Sequence, residues 1–430
     1  MTTLVTWILA LGILPSFTAL STEIIHAYPG LGRYLGPLNP LKIALPILIG
    51  FVWLHRKAIP KKLTKILVAS FAIGSVASVI AALGCQTSVA IFYREWFVMI
   101  VGCLAGICFL LLPRKNVKKI VLVWAVIVFG SGLLEVIAPS SIQWLYAHLF
   151  DPNTQEGDFR EVGRSVLTGV FGRQSMAKLL SWIPWLLVLV FWNRPRANNR
   201  WLVVLVVVGF ASIFGTSQRG PFLAALTGCL VFAGHQFWIN KNKRHAAWGV
   251  GVFALSIVLS FVVTPRDIWA PRVKSLVGAP AKPRDEVQRI AEGNIRIRQQ
   301  ITAFSFQQIA RHPLGNACIA QEEFDLAGLP VAHSHNLFLE QFRSRGWIWG
   351  FVHAGLWAVA FWGAWRSRGP LGSTLSGALA TVLIGGVFDH PWWVLNHAMI
   401  LGIFLVSGLW LVSATSRERY PQSLENNSKV

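Results

Sequence analysis

The chain has 430 residues, 54% of them hydrophobic and 13% charged, with a mean hydropathy of +0.54 and a formal net charge of +21. A soluble domain carries about 25% charged residues, so this composition excludes a soluble globular protein and marks an all-α polytopic membrane protein. The basic residues are dispersed among short links rather than gathered in one groove-sized patch. That argues for membrane lipids and phosphorylated substrates as partners, and for no nucleic acid.

A span needs about 20 largely apolar residues. Twelve are expected, at 4–21, 40–54, 65–84, 95–112, 118–138, 176–193, 201–215, 221–238, 246–264, 347–365, 371–388 and 395–413. Met1 to Thr6 contain no Lys or Arg, so the first segment reads as a span rather than a cleaved signal peptide. Pro46 sits inside the short second span. The links after even-numbered spans are basic: His55-Arg56-Lys57, Arg114-Lys115, Arg194-Pro195-Arg196, Lys241-Asn242-Lys243-Arg244, Arg366-Ser367-Arg368 and Arg417-Glu418-Arg419. The positive-inside rule places them, and with them both termini, in the cytoplasm.

The organisation expected is nine spans over 1–264, a large outer loop at 265–346, three spans over 347–414 and a cytoplasmic tail at 415–430. Among the other outer links, 139–175 is the longest. The 265–346 loop carries eleven Lys/Arg and eight Asp/Glu, unlike the rest of the chain. No internal repeat is visible, and the spans hold few ionisable groups, Glu135 being the main exception. A proton- or ion-coupled carrier places charges at mid-membrane, so a transporter fits poorly. The 20 Trp suit interfacial belts, and their rings also stack on sugars. Cys103, Cys108 and Cys229 fall inside spans; Cys85 and Cys318 fall outside and could pair, which sequence cannot show. No metal-site spacing appears.

Three outer segments carry the titratable chemistry. Gly215-Thr216-Ser217-Gln218-Arg219-Gly220-Pro221 is a short turn before the eighth span. Pro221 suits a first helical turn, Thr216 or Ser217 can cap it, and Arg219 is held at a helix N-terminus, where free N–H groups and a guanidinium favour an anion. The plainer reading is an arginine reaching to the interface.

In the large loop, Ile290, Ile297, Ile301 and Phe304 recur at helical spacing, predicting an amphipathic helix over about 283–311. Asp285 and Arg289 form an acid-first i,i+4 pair, as do Glu292 and Arg296. Arg298 has Asn294 at the matching position and no acidic residue within a turn, which leaves it available for phosphate.

The third segment, His333-Ser334-His335-Asn336, precedes a helix beginning near Leu337. A histidine near its ordinary pKa of about 6.5 can act as a base at neutral pH. A structural hydrogen bond is the plainer reading for either one. Arg160 and Arg164 in 139–175, and Asp389-His390 after the eleventh span, are secondary candidates on the same side.

These segments resemble the O-antigen ligase and polymerase superfamily of bacterial envelope glycosyltransferases. Thr216-Ser217-Gln218-Arg219-Gly220 with Leu223 is similar to the family's arginine motif. Arg298, its helix and His312-Pro313-Leu314-Gly315 resemble the second arginine segment. His333-Ser334-His335-Asn336 with Gly346 resembles the histidine motif, Arg164, Gly169 and Phe171 a further segment, and Asp389-His390 an aspartate-histidine common in relatives. The resemblance runs over roughly residues 160–400. One departure is Trp349, where the family often has a small residue or Tyr.

The resemblance implies a GT-C-like fold of about 12 transmembrane helices with a large, partly helical periplasmic loop, in a Gram-negative inner membrane. It implies an undecaprenyl-diphosphate-linked glycan as donor and, in the ligase branch, a hydroxyl of lipid A-core as acceptor. The reaction inverts the anomeric centre and needs no metal or other cofactor. On that basis Arg219 and Arg298 stabilise the leaving diphosphate, and His335 is the base, with His333 as the alternative. Arg160, Arg164, Arg296, His333, Asn336 and Asp389 bind the substrates, Asn336 also orienting the base. An O-antigen polymerase shares the fold and donor, and sequence separates the two poorly.

Overall fold

A computed structural model describes residues 1–14, 40–83, 90–138, 173–192, 200–216, 218–263, 286–316, 329, 334–388 and 395–414. Among them every regular element is helical. The helices are α1 (Thr2–Leu11), α2 (Pro40–Leu54), α3 (Lys61–Ala82), α4 (Ala90–Leu111), α5 (Arg114–Ile137), α6 (Arg173–Phe191), α7 (Arg200–Gly215), α8 (Arg219–Trp238), α9 (Lys243–Val263), α10 (Glu286–Arg311), α11 (Leu337–Arg366), α12 (Pro370–Phe388) and α13 (Leu395–Ser413). A 3-10 turn, Arg56–Ala58, joins α2 to α3.

Among the described residues five helices are long and apolar enough to cross a membrane: Lys61–Ala82, Arg114–Ile137, Gly220–Trp238, Lys243–Val262 and Pro370–Phe388. A helix stands at eleven of the positions where hydropathy marks a span, and α10 stands where periodicity predicts the loop helix; of the expected 4–21 span α1 covers only the part to Leu11, and 15–21 lie outside the described residues. Starts follow local chemistry. Pro60 and Pro113 precede α3 and α5, and Pro370 is the first residue of α12, positions where a missing N–H costs nothing. Several helices expose aliphatic side chains outward, among them Val68, Val126, Leu133, Val258 and Val262. An apolar exterior of this kind suits lipid rather than water.

The bundle is drawn together by close helix crossings. Where α4 meets α13, a Cβ on Gly102 would run into the Ala398 carbonyl, and one on Gly402 into the Gly102 carbonyl. Where α8 meets α12, a Cβ on Gly377 would lie 2.9 Å from the Gly228 carbonyl oxygen. Small residues at such crossings bring backbones into van der Waals contact, which drives association where no hydrophobic effect separates helix from lipid. α11 lies between these pairs, packing on α3, α12 and α13.

The end of α8 remote from Arg219 is tied to α11 and α12 by polar groups. His235, fully buried, donates from Nε2 to the Trp365 carbonyl (2.9 Å), while its Nδ1 lies 3.0 Å from Ser373 Oγ. Asn240 Nδ2 donates to Ser373 Oγ (2.8 Å), and its Oδ1 accepts from Gly369 N (2.8 Å). These bonds satisfy polar atoms that would otherwise be stranded away from water.

Candidate functional site

At the opposite end of α8 and α12 lie the backbone of Arg219 and the side chains of Arg298 and Asn336. α12 ends at Phe388, leaving its last carbonyls without intrahelical partners. Three elements close on that end. Arg298 of α10, largely exposed, donates from Nη1 to the Phe388 carbonyl (3.1 Å). Asn336 donates from Nδ2 to the Val387 carbonyl (3.1 Å). Gly220 of α8 packs so tightly that a Cβ there would lie 2.9 Å from Phe388 Cβ. Cationic and amide donors at a helix C-terminus also meet the negative end of its dipole.

The residues beside these anchors are the candidates themselves. Arg219 precedes Gly220 and opens α8; its backbone is described, its side chain is not. The cap position of α8 is Gln218, in extended conformation, rather than Thr216 or Ser217. Thr216 is buried and its hydroxyl donates to the Ile213 carbonyl (2.6 Å), closing α7 instead.

His335, half-buried, precedes Asn336 and has φ +47°. A non-glycine residue is held in this left-handed region only by its surroundings. Asn336 caps α11: its Oδ1 accepts from Phe338 N (2.9 Å) and Leu339 N (3.0 Å). One side chain thus starts the helix with its oxygen and ties it to α12 with its nitrogen.

α10 is packed at two places, once on Leu329 and once on α11. Ile301 is buried with Leu329, and Ile297 and Phe304 pack on them, so three of the four predicted apolar positions form one contact face. The side chains of Ile290, Arg289 and Arg296 are not described. At the other end, His312-Pro313-Leu314-Gly315 docks into a kink in α11. Gly315 has φ +91° and Gly346 has φ +79°, ψ 177°, and the two face each other. A Cβ on Gly315 would lie 2.5 Å from Gly346 N, and one on Gly346 would lie 2.5 Å from Leu314 C. Asn316 N donates to the Arg343 carbonyl (3.0 Å), Trp347 N to the Pro313 carbonyl (2.9 Å), and Trp347 Nε1 to the Ile309 carbonyl (3.2 Å). Only glycine adopts these dihedrals without strain.

Sequence reasoning missed the charged groups buried in the first turns of α11. Glu340, Arg343 and Arg345 are 2%, 3% and 1% exposed. Glu340 Oε1 accepts from Arg343 Nη2, and its Oε2 from Ser334 N (2.8 Å) and Ser334 Oγ. Arg345 Nη1 donates to Gln341 Oε1 (2.9 Å) and Nε to Ser78 Oγ of α3 (3.2 Å), with its guanidinium 5.4 Å from the Trp96 ring. The one available signal was the acid-first Glu340/Arg343 spacing; Arg345 is covered by Ser78 of α3 and Trp96 of α4. Trp349 belongs to this layer. It is fully buried, donates to Gln341 Oε1 (2.8 Å), and meets Trp96 edge-on at 4.9 Å between ring centroids. Gly74 makes room for it: a Cβ there would lie 2.8 Å from the Trp349 ring. The departure at 349 is therefore absorbed by a small residue on α3.

Arg160, Arg164, His333 and Asp389 lie outside the described residues, as do Cys85 and Cys318; Cys103, Cys108 and Cys229 are buried free thiols. Among the described residues no three His, Cys, Asp or Glu side chains cluster as metal ligands. No family model matches the chain, and no curated protein is significantly similar to it.

Proposed function

We propose that the chain is an O-antigen ligase: an inverting, metal-independent glycosyltransferase of a Gram-negative inner membrane, spanning it twelve times with both termini cytoplasmic. In this reading the α12 end, α10 and the start of α11 face the periplasm. The donor is a glycan on undecaprenyl diphosphate and the acceptor a sugar hydroxyl of lipid A-core.

The observation that carries the reading is the convergence on the end of α12. Elements bearing Arg219, Arg298 and His335, scattered over more than a hundred residues of sequence, anchor on Val387 and Phe388. The chemistry asked of such a site is simple. The acceptor oxygen forms a bond to the anomeric carbon as the bond from that carbon to the diphosphate oxygen breaks. The hydroxyl proton passes to the His335 imidazole. Negative charge grows on the departing diphosphate, and fixed guanidinium groups stabilise it most where it grows; losing one such donor costs about 10²–10³ in rate. Arg298 suits this role because its present partner is a neutral carbonyl, which a phosphate outcompetes as a charge-assisted acceptor. Both substrates are lipid-anchored, so the bilayer itself confines them to the site.

The test is transfer by purified protein from undecaprenyl-diphosphate glycan to lipid A-core, with EDTA present, comparing wild type with His335→Ala. Transfer by wild type alone is expected. Extension between two lipid-linked glycans without transfer to lipid A-core makes the protein a polymerase and overturns the ligase reading.

A further inference from the structure

The conformation of His335 has a cause inside α11. Residue 335 is left-handed, and the residues on both sides are pinned. Asn336 is fixed by its cap and by Val387. Ser334, 2% exposed, is fixed by Glu340, whose Oε2 takes both the Ser334 amide hydrogen and its hydroxyl. Glu340 is in turn clamped: Arg343 donates to both carboxylate oxygens, and the Glu340 backbone N–H is held by the Asn336 carbonyl (3.0 Å). The Ser344 hydroxyl closes onto the Glu340 carbonyl (2.6 Å). Ser334 through Ser344 thus form one hydrogen-bonded knot with His335 at its outer edge.

A salt bridge this deeply buried is a poor way to gain stability. Removing both charges from water offsets most of their attraction, and well-packed apolar residues of similar size usually do as well or better. The pair does something an apolar pair cannot: it presents a fixed carboxylate oxygen that accepts twice from Ser334, the residue before His335. We infer that Glu340 is the positioning residue for His335, holding the imidazole at the mouth of the site through Ser334, with Arg343 fixing the carboxylate. The inference rests on the reading of His335 as the base. Glu340 itself touches no substrate.

The experiment uses the full chain in detergent and two readouts. One is the rate of carbethoxylation of His335 by diethyl pyrocarbonate, resolved from His333 by fragment-ion mass spectrometry. The other is glycan transfer. Glu340→Met with Arg343→Met removes both charges of this ion pair together. The double variant is expected to keep a thermal midpoint within about 4 °C of wild type. Its His335 reacts at least about threefold faster, because a residue released from the left-handed region samples the broader basins. Its transfer kcat falls about tenfold with KM for the acceptor unchanged, as expected when a group acts only in the transition state.

Should the double variant fail to fold, Ser334→Ala removes one of the two bonds to Glu340 without touching a charge. It is expected to shift both readouts in the same direction by about twofold. A folded variant whose His335 reacts at the wild-type rate overturns the inference. If wild type transfers glycan to neither acceptor, the proposed function fails, yet the carbethoxylation rates still decide whether Glu340 holds His335.

Discussion

Gly346→Ala is the sharpest perturbation available at the α10–α11 junction. A side chain there meets two penalties. The backbone at φ +79°, ψ 177° lies in a region open almost only to glycine, costing about 1–3 kcal/mol for alanine. The new Cβ would also sit 2.5 Å from Leu314 C and 2.7 Å from the Pro313 carbonyl oxygen, both rigid backbone. Relief requires the 313–316 segment to back away, breaking Trp347 N to Pro313 O and Asn316 N to Arg343 O. Each bond contributes about 0.5–1.5 kcal/mol, so local opening is made easier by about 2–6 kcal/mol in total. Hydrogen exchange reads this directly. Protection of the Trp347 and Asn316 amides is expected to fall at least about thirtyfold, since 1.4 kcal/mol is a factor of ten. The α10 helix, and Arg298 with it, then loosens from the site, and transfer falls. Gly355→Ala in the same helix is the matched control. Its Cβ meets nothing within 4 Å, so alanine is expected to stabilise α11 by about 0.5–1 kcal/mol. Unchanged amide protection in Gly346→Ala, or equal effects of the two variants, would refute the argument from paired glycines.

Asn336 separates two roles by substitution. Asn336→Asp keeps an N-cap oxygen but loses the donor to Val387, so helicity holds while transfer drops; Asn336→Ala loses both, at about 1–2 kcal/mol of stability for the cap alone, measured by denaturant titration. Arg298→Ala leaves the thermal midpoint unchanged, because the side chain is exposed and, among the described residues, bonded to a carbonyl, yet transfer falls by about 10²–10³. A fall in midpoint with no loss of rate would assign Arg298 a structural role instead.

The parts of the molecule legible in the sequence are those set by local pattern. Hydropathy marks the helices because each must satisfy its own backbone and face lipid or a neighbour. Periodicity marks α10, and Asn336 ahead of Leu337 marks the start of α11 because capping is a matter of three residues. Even the kink at Gly346 falls where hydropathy begins the tenth span at 347. The buried network was illegible for a different reason. Glu340, Arg343 and Arg345 stand in a polar stretch, yet all three are buried; Arg345 meets Ser78 and Trp96, more than two hundred residues earlier. Likewise nothing local announces that Gly315 and Gly346 meet, or that Val387 and Phe388 receive Asn336 and Arg298. Tertiary partners chosen at long range carry no periodic signature.

The crossing of Gly102 on α4 with Gly402 on α13 imposes an order on biosynthesis. The notch in α4 fits a helix made some three hundred residues later. At about 5–20 residues per second, the ribosome takes about 15–60 s to cover that distance. Throughout that interval the glycine face of α4 stands without the helix that fits it. Among the described helices α13 emerges last and closes this crossing, so a chain truncated before residue 395 would keep that slot vacant.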